Sequence, residues 1–155
     1  MSRSDARRHA FSVIFQFPFH QIMDAENLVW LKLSYLASLS GGPPEDDAPA
    51  GPRPSGRDAE YMERVIWGAL DKLAQLDGVI ENFLKDWELE RINRVDLALL
   101  RLAIYEMLCE PDVPFGVAVN EAVELAKAYG SDDSPSFING VLGNVAREIK
   151  GAGRG

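Results

Sequence analysis

Hydrophobic and polar positions repeat with a helical period along most of the chain, most clearly between Val113 and Gly143. Pro114 suits the first turn of a helix, because its missing N–H costs nothing there. Gly130 suits the end of that helix, because glycine turns left-handed without a Cβ clash. Between them, apolar residues recur on one helix face: Ala118, Ala122, Leu125, Ala126 and Tyr129. The pattern therefore predicts a helix that ends at Tyr129, with these five residues on one face.

A second helix is predicted after a short polar hinge, residues 130–136. Ser134 and Pro135 are residue types preferred at the N-cap and at the first helical position. The buried face that follows has helical spacing: Ile138, Val141, Leu142, Val145 and Ile149. The pattern thus predicts two consecutive helices joined by the hinge.

The earlier part of the chain contains further helical patterns. One helix is predicted to run to about Phe17, and another covers residues 25–39. Asp58 can cap a third helix, and the pair Asp77–Gly78 leaves open whether this region is one kinked helix or two. The apolar face of the first helix consists of Ala6, Ala10, Val13, Ile14 and Phe17.

The middle of the chain predicts a buried helix, and the remainder predicts loops. Asn93 can cap a helix that places Asp96 at N3, and residues 95–108 are apolar on nearly every side. Residues 41–56 contain five prolines and three consecutive acids, so we expect a flexible loop at 40–57. The Gly-rich residues 151–155 predict a disordered tail. The fold class is therefore all-α, a single compact domain of about seven helices over residues 1–150.

Composition limits the possible functions. The net charge is −8, which argues against a protein that grips nucleic acid over its whole surface but leaves room for a local basic patch. The single cysteine, Cys109, has no internal disulfide partner and fits a reducing, cytoplasmic environment. No apolar run is long enough to span a membrane.

The sequence contains no recognisable catalytic or metal-binding motif. His9 and His20 are the only histidines, and no cysteine cluster accompanies them, so we expect no zinc site. No GxSxG elbow is present to supply a hydrolase serine. We therefore expect no enzyme activity, no cofactor and no metal.

Three separate stretches resemble the NusB family of transcription antitermination factors. They are ARRHAF near the start, RINRVDLALLRLAIYE in the middle, and the run NEAVELAK, YGSDDS and FINGVLG near the end. The resemblance implies two packed helical sub-bundles. It also implies binding of boxA-type single-stranded RNA together with NusE, a basic protein of the small ribosomal subunit, within an RNA polymerase antitermination complex that supports ribosomal RNA transcription. Neither DNA nor a membrane is an implied partner.

Two segments are candidates for RNA contact. The first is the N-terminal helix, where Arg3 and Arg7 are four residues apart and share a face that Arg8 widens. Guanidinium groups bind phosphates and stack on unpaired bases. The second segment is the hinge, where free N–H groups at a helix start can donate to a phosphate oxygen. With the residues that the resemblance adds, the RNA-binding candidates are Arg3, Arg7, Arg8, Phe15, Ser134, Phe137 and Asn139.

A third candidate surface is acidic and lies around the turn before the central helix. It consists of Glu88, Glu90 and Asp96. In the simplest interpretation, these negative charges stabilise the positive N-terminal end of the helix dipole. The resemblance places them near the surface that docks NusE, where opposite charges would speed the encounter.

Two other functions remain open. A helical protein–protein adaptor without RNA affinity is favoured by the charge of −8. A NusB-like module preceding an RNA cytosine methyltransferase would need a further domain, and we do not expect it in a chain that ends at Gly155.

Overall fold

The computed structural model describes residues 3–15, 56–84 and 91–151. These ranges contain helices only, so the predicted all-α class is confirmed. The predicted helix at residues 25–39, the loop up to residue 55 and the tail at residues 152–155 lie outside the described residues. The six helices are α1 (Arg3–Phe15), α2 (Arg57–Asp71), α3 (Leu73–Phe83), α4 (Arg94–Cys109), α5 (Phe115–Tyr129) and α6 (Ser134–Gly151).

Helix α4 is the centre of the fold. Every residue from Asp96 to Met107 is buried, as expected for a helix that is apolar on nearly every side. Helices α1 and α2 pack against each other and against α4, and α5 and α6 do the same. The two pairs therefore share α4.

Two charged residues of α4 need partners because burying an unpaired charge is costly. Arg101 is completely buried, and its Nε and Nη2 atoms each donate to a carboxylate oxygen of Asp77 at 2.7 Å. Asp77 and Gly78 therefore lie inside α3 and do not interrupt it. The helical run is interrupted instead at Lys72, which lies between the end of α2 and the start of α3.

The helix starts were predicted with mixed success. Asn93 caps α4 as expected, because its Oδ1 accepts from the backbone N–H of Asp96 at 2.8 Å. Asp58 is not the cap of α2: the helix begins at Arg57 after Gly56, which has a positive φ of 62°. Asp58 lies in the first turn and bonds to Arg3. At the other end of the chain, Gly151 belongs to α6 and not to the predicted tail.

Candidate functional site

Arg7 of α1 is buried, contrary to the expectation of an exposed basic patch. Its Nε lies 3.0 Å from Glu106 Oε1 of α4, and the hydroxyl of Tyr61 donates to the same oxygen at 2.6 Å. Only 4% of Arg7 is exposed. Arg3 and Arg7 do share a face, but that face packs over the ring of Tyr61, at 4.3 and 5.5 Å from its centroid. Arg7 therefore attaches α1 to the core.

The electrostatics of this cluster follow from its burial. Burial disfavours the charge of Arg7, but the hydrogen bond and the negative charge of Glu106 outweigh it and raise the Arg7 pKa. Burial and the Glu106 carboxylate both raise the pKa of Tyr61, so its hydroxyl stays protonated and keeps donating. The arrangement is a closed ion-pair network with no group left to bind a ligand strongly.

Arg3 and Arg8 are the basic side chains of α1 that remain partly exposed. Arg3 Nε lies 3.1 Å from Asp58, with 38% of the side chain exposed. Arg8 Nη1 lies 3.2 Å from Asp5. Surface pairs of this kind are worth about 0–1 kcal/mol, so either arginine can exchange its carboxylate for a phosphate at little cost.

An aromatic–arginine cluster lies where α1 ends, and it consists of Phe11, Phe15, Tyr129 and Arg94. The Phe11 ring is 6.0 Å from Phe15 and 5.5 Å from Tyr129, between ring centroids. The Arg94 guanidinium lies 4.8 Å from the Phe15 ring and donates to the Phe15 carbonyl at 3.0 Å. Tyr129 is 49% exposed, so the apolar face of α5 reaches the surface at its C-terminal end. The cluster joins a predicted RNA-binding residue, Phe15, to three residues that the sequence did not identify as site residues, Phe11, Arg94 and Tyr129.

The hinge that follows Tyr129 is tightly folded. Gly130 has φ −92° and ψ −172°, so it is extended and not left-handed. Glycine is required there for another reason: a Cβ would lie 2.6 Å from the Cβ of Ser134. Helix α6 begins at Ser134 itself, whose hydroxyl oxygen accepts from the Ser131 N–H at 3.0 Å and also shares a hydrogen bond with the Ser131 hydroxyl. Ser134 is only 1% exposed, so its hydrogen bonds to Ser131 stabilise the hinge from the buried side.

The other two hinge candidates differ in exposure. Phe137 is half-buried and packs against the core. Asn139, two residues further along α6, is exposed and lines a groove between α5 and α6. Of the three candidates Ser134, Phe137 and Asn139, Asn139 is therefore the one whose side chain is exposed.

Asp96 does not present its charge on the surface. It is 7% exposed, and one of its carboxylate oxygens has no hydrogen-bond partner among the described residues. Burial raises the Asp96 pKa, and the nearby Ser134 hydroxyl partly opposes the shift. Asp96 thus lies close to the start of α6. Glu88 and Glu90, predicted beside it, lie outside the described residues.

The described ranges contain neither a metal-binding cluster nor a membrane-spanning helix. There, no group of three or more His, Cys, Asp or Glu side chains is arranged to hold a metal ion. None of the six helices has the length and hydropathy needed to cross a membrane.

Comparisons with known proteins agree on one family. Residues 4–147 match the NusB family. The transcription antitermination protein NusB of Syntrophotalea carbinolica is 38% identical over 149 residues, which cover 96% of this chain and 94% of the relative. That of Acetivibrio thermocellus is 56% identical over 90 residues, 58% of this chain and 62% of the relative. A solved structure of T. maritima NusB superposes with a TM-score of 0.70 at 30% identity, covering 96% of this chain and 92% of that one.

Proposed function

The chain belongs to the NusB family of transcription antitermination proteins, and on that premise we propose that it binds boxA-type single-stranded RNA together with NusE. The complex would join RNA polymerase in the cytoplasm and support transcription of ribosomal RNA. The observation that carries the proposal is the aromatic–arginine cluster beside the hinge.

This cluster has the chemistry that single-stranded RNA requires. Unpaired bases stack on aromatic rings and on guanidinium planes, and each stacked base is worth ~1–3 kcal/mol. Tyr129 offers the most exposed ring, and Arg94 offers an exposed guanidinium beside Phe15. Arg3 and Arg8, on the same helix as Phe15, would contact phosphates.

The buried candidates take supporting roles in this proposal. Arg7 would orient α1 through Glu106, and Ser134 would fix the shape of the hinge. Phe137 would brace the hinge from below, and Asn139 would reach the RNA directly.

NusE would supply the positive charge that this chain lacks. A net charge of −8 disfavours RNA, and a basic partner offsets it. We keep Glu88 and Glu90 as docking residues for NusE, whereas Asp96 would act from inside by joining the docking turn to the hinge.

Titration of boxA RNA with point variants tests the RNA surface. Tyr129→Ala is expected to weaken binding roughly fivefold to hundredfold, the equivalent of one stacked base, and Arg94→Gln is expected to act in the same direction. Val117→Ala is the matched control, because Val117 is also exposed and lies at the other end of α5. Circular dichroism checks that each variant is folded. Tyr129→Ala binding as tightly as Val117→Ala would refute the stacking surface.

A helical adaptor without RNA affinity is the second candidate. It is favoured by the pairing of Arg3, Arg7 and Arg8 with carboxylates in an acidic chain. In that case NusE would bind, and boxA RNA would bind no better than a scrambled RNA of the same composition.

A further inference from the structure

A groove of about 460 Å³ lies between the first half of α5 and the part of α6 that follows the hinge. Val119, Val123 and Ala146 form part of its wall, and the side-chain amides of Asn120 and Asn139 line it. The groove is therefore apolar inside and carries hydrogen-bonding groups along its length.

The charged residues that line the groove are both positive. Arg147 donates to Asn144, and the Lys150 ammonium lies 5.8 Å from the centroid of the Phe115 ring. Within the described part of the chain, neither of them has a carboxylate within ion-pair distance. By contrast, Arg3, Arg7 and Arg8 are all paired. Two cations without acidic partners in a chain of net charge −8 mark this groove as attractive to an anion.

Two glycines of the groove have no role in the fold itself. A Cβ on Gly116 would meet nothing within 4 Å, and one on Gly143 would meet only Arg147 Nη1 at 3.8 Å. Neither has a positive φ. Glycine is the least favourable helix residue after proline, so these two positions weaken the helices without a steric need for glycine. Glycine leaves the helix backbone open to close approach from outside.

The groove extends along α6 from a point near the hinge. Asn139 belongs to its lining and lies five residues after Ser134 on α6, about 7 Å along the axis. From Asn139 to Lys150 the helix rises a further ~17 Å. Asn139, Gly143 and Arg147 are four residues apart on one face of α6, so a ligand that follows this face away from the hinge passes both cations.

We propose that the α5–α6 groove binds the nucleotides that flank the boxA segment, as an extension of the RNA path from the hinge. This inference rests on the proposed function. Phosphates would meet Arg147 and Lys150, sugar and base faces would lie on Val119 and Val123, and Asn139 would bridge hinge and groove. A phosphate chain fits better than an acidic peptide, because the groove begins at the residue where RNA is expected to leave the hinge.

RNA length provides the test. A core boxA RNA and the same RNA lengthened by a uridine tract at either end are titrated against the full chain at several salt concentrations. Lengthening at one end is expected to raise affinity. Each phosphate contact on a single strand contributes ~0.7 to the salt slope, so two contacts contribute ~1.4. A fourfold reduction in salt should then widen the advantage of the longer RNA about sevenfold.

Variants of the groove are expected to remove that advantage without changing core binding. Arg147→Gln with Lys150→Gln should abolish it, and Arg57→Gln with Lys72→Gln, which changes the net charge equally, should preserve it. Gly143→Ala should reduce it by obstructing the groove. Gly78→Ala is the matched control, because Gly78 is also helical, exposed and without neighbours within 4 Å.

The possible failures can be told apart. Failure of wild-type protein to bind the core RNA, with or without NusE, would refute the proposed function and this extension together. Normal core binding with no gain from either extension would refute the groove alone. If Arg147→Gln with Lys150→Gln lowered the affinity for core and lengthened RNA equally, the two residues would act only through the net charge of the protein. That result would also refute the groove as a binding site. Unchanged RNA binding with loss of binding to an acidic peptide would assign the groove to a protein partner and overturn the proposal.

Discussion

Replacing Arg7 by methionine should destabilise the fold rather than weaken RNA binding selectively. The substitution keeps most of the side-chain volume but removes the charge that faces Glu106, whose side chain is 2% exposed. Glu106 would keep the Tyr61 hydroxyl and lose its cation. Breaking a buried ion pair by removing one partner costs ~3–5 kcal/mol, because the other charge remains buried.

Thermal unfolding followed by circular dichroism measures the cost. For a chain of this size, each kcal/mol shifts Tm by about 2–4 °C, so Arg7→Met should lower Tm by roughly 6–20 °C. Arg8→Met is the matched control, because Arg8 is the next residue and makes only a partly exposed pair with Asp5. That control should cost about 1 kcal/mol or less.

A double variant separates the ion pair from packing. In Arg7→Met with Glu106→Gln, no charge is left alone, and the amide oxygen of the glutamine still accepts from Tyr61. The double variant should therefore lose less free energy of unfolding than the sum of the losses in Arg7→Met and Glu106→Gln. Equal costs for Arg7→Met and Arg8→Met, or strict additivity in the cycle, would refute the account of Arg7.

Two further substitutions test burial and packing. Burial raises the folded-state pKa of Asp96 above the unfolded value, so its contribution to stability is complete below the usual value of 3.8 and is lost as pH rises through the raised pKa. Asp96→Asn should therefore raise Tm at neutral pH and leave it unchanged in acid, and a pH-independent difference would contradict this. Gly68→Ala would overlap the hydroxyl of Tyr105, so urea denaturation should show a loss of ~1–3 kcal/mol, whereas Gly78→Ala should gain ~0.5–1 kcal/mol. Equal effects of the two alanines would contradict the close approach at Gly68.

Local patterns predicted the helices well because each signal acts within a few residues. The apolar spacing of Ala6, Ala10 and Ile14 identified a face that is fully buried. Asn93 was recognisable as a cap because its bond reaches only three residues ahead. The break at Lys72 was missed because Asp77 and Gly78 resemble a helix end, whereas Asp77 is held inside α3 by Arg101.

The site was harder to predict because its decisive contacts join distant parts of the chain. Arg7 looks like a solvated cation beside Arg3, and its partner Glu106 is 99 residues away. A signal was nevertheless present: Glu106 and Arg101 are charges in an otherwise apolar central helix, so each required a buried partner. Tyr129 was not identified as a site residue because it fits the apolar spacing of α5, whereas its ring meets Phe11 of α1, which is distant in the sequence.

The burial of Asp96 also changes how the surfaces relate. Asp96 and Ser134 were predicted in separate regions, but in the fold the Ser134 hydroxyl lies close enough to the Asp96 carboxyl to affect its pKa. The start of α4 and the start of α6 are therefore neighbours.

The affinity for boxA RNA with and without NusE tests the central claim most directly. The chain carries net charge −8 and few unpaired cations near the hinge, so we expect it to bind boxA RNA weakly alone. NusE should raise the affinity at least about tenfold, a coupling of about 1.4 kcal/mol, and a scrambled RNA should gain much less. Equal affinity for boxA RNA in the presence and absence of NusE, or equal gains for boxA and scrambled RNA, would contradict the account.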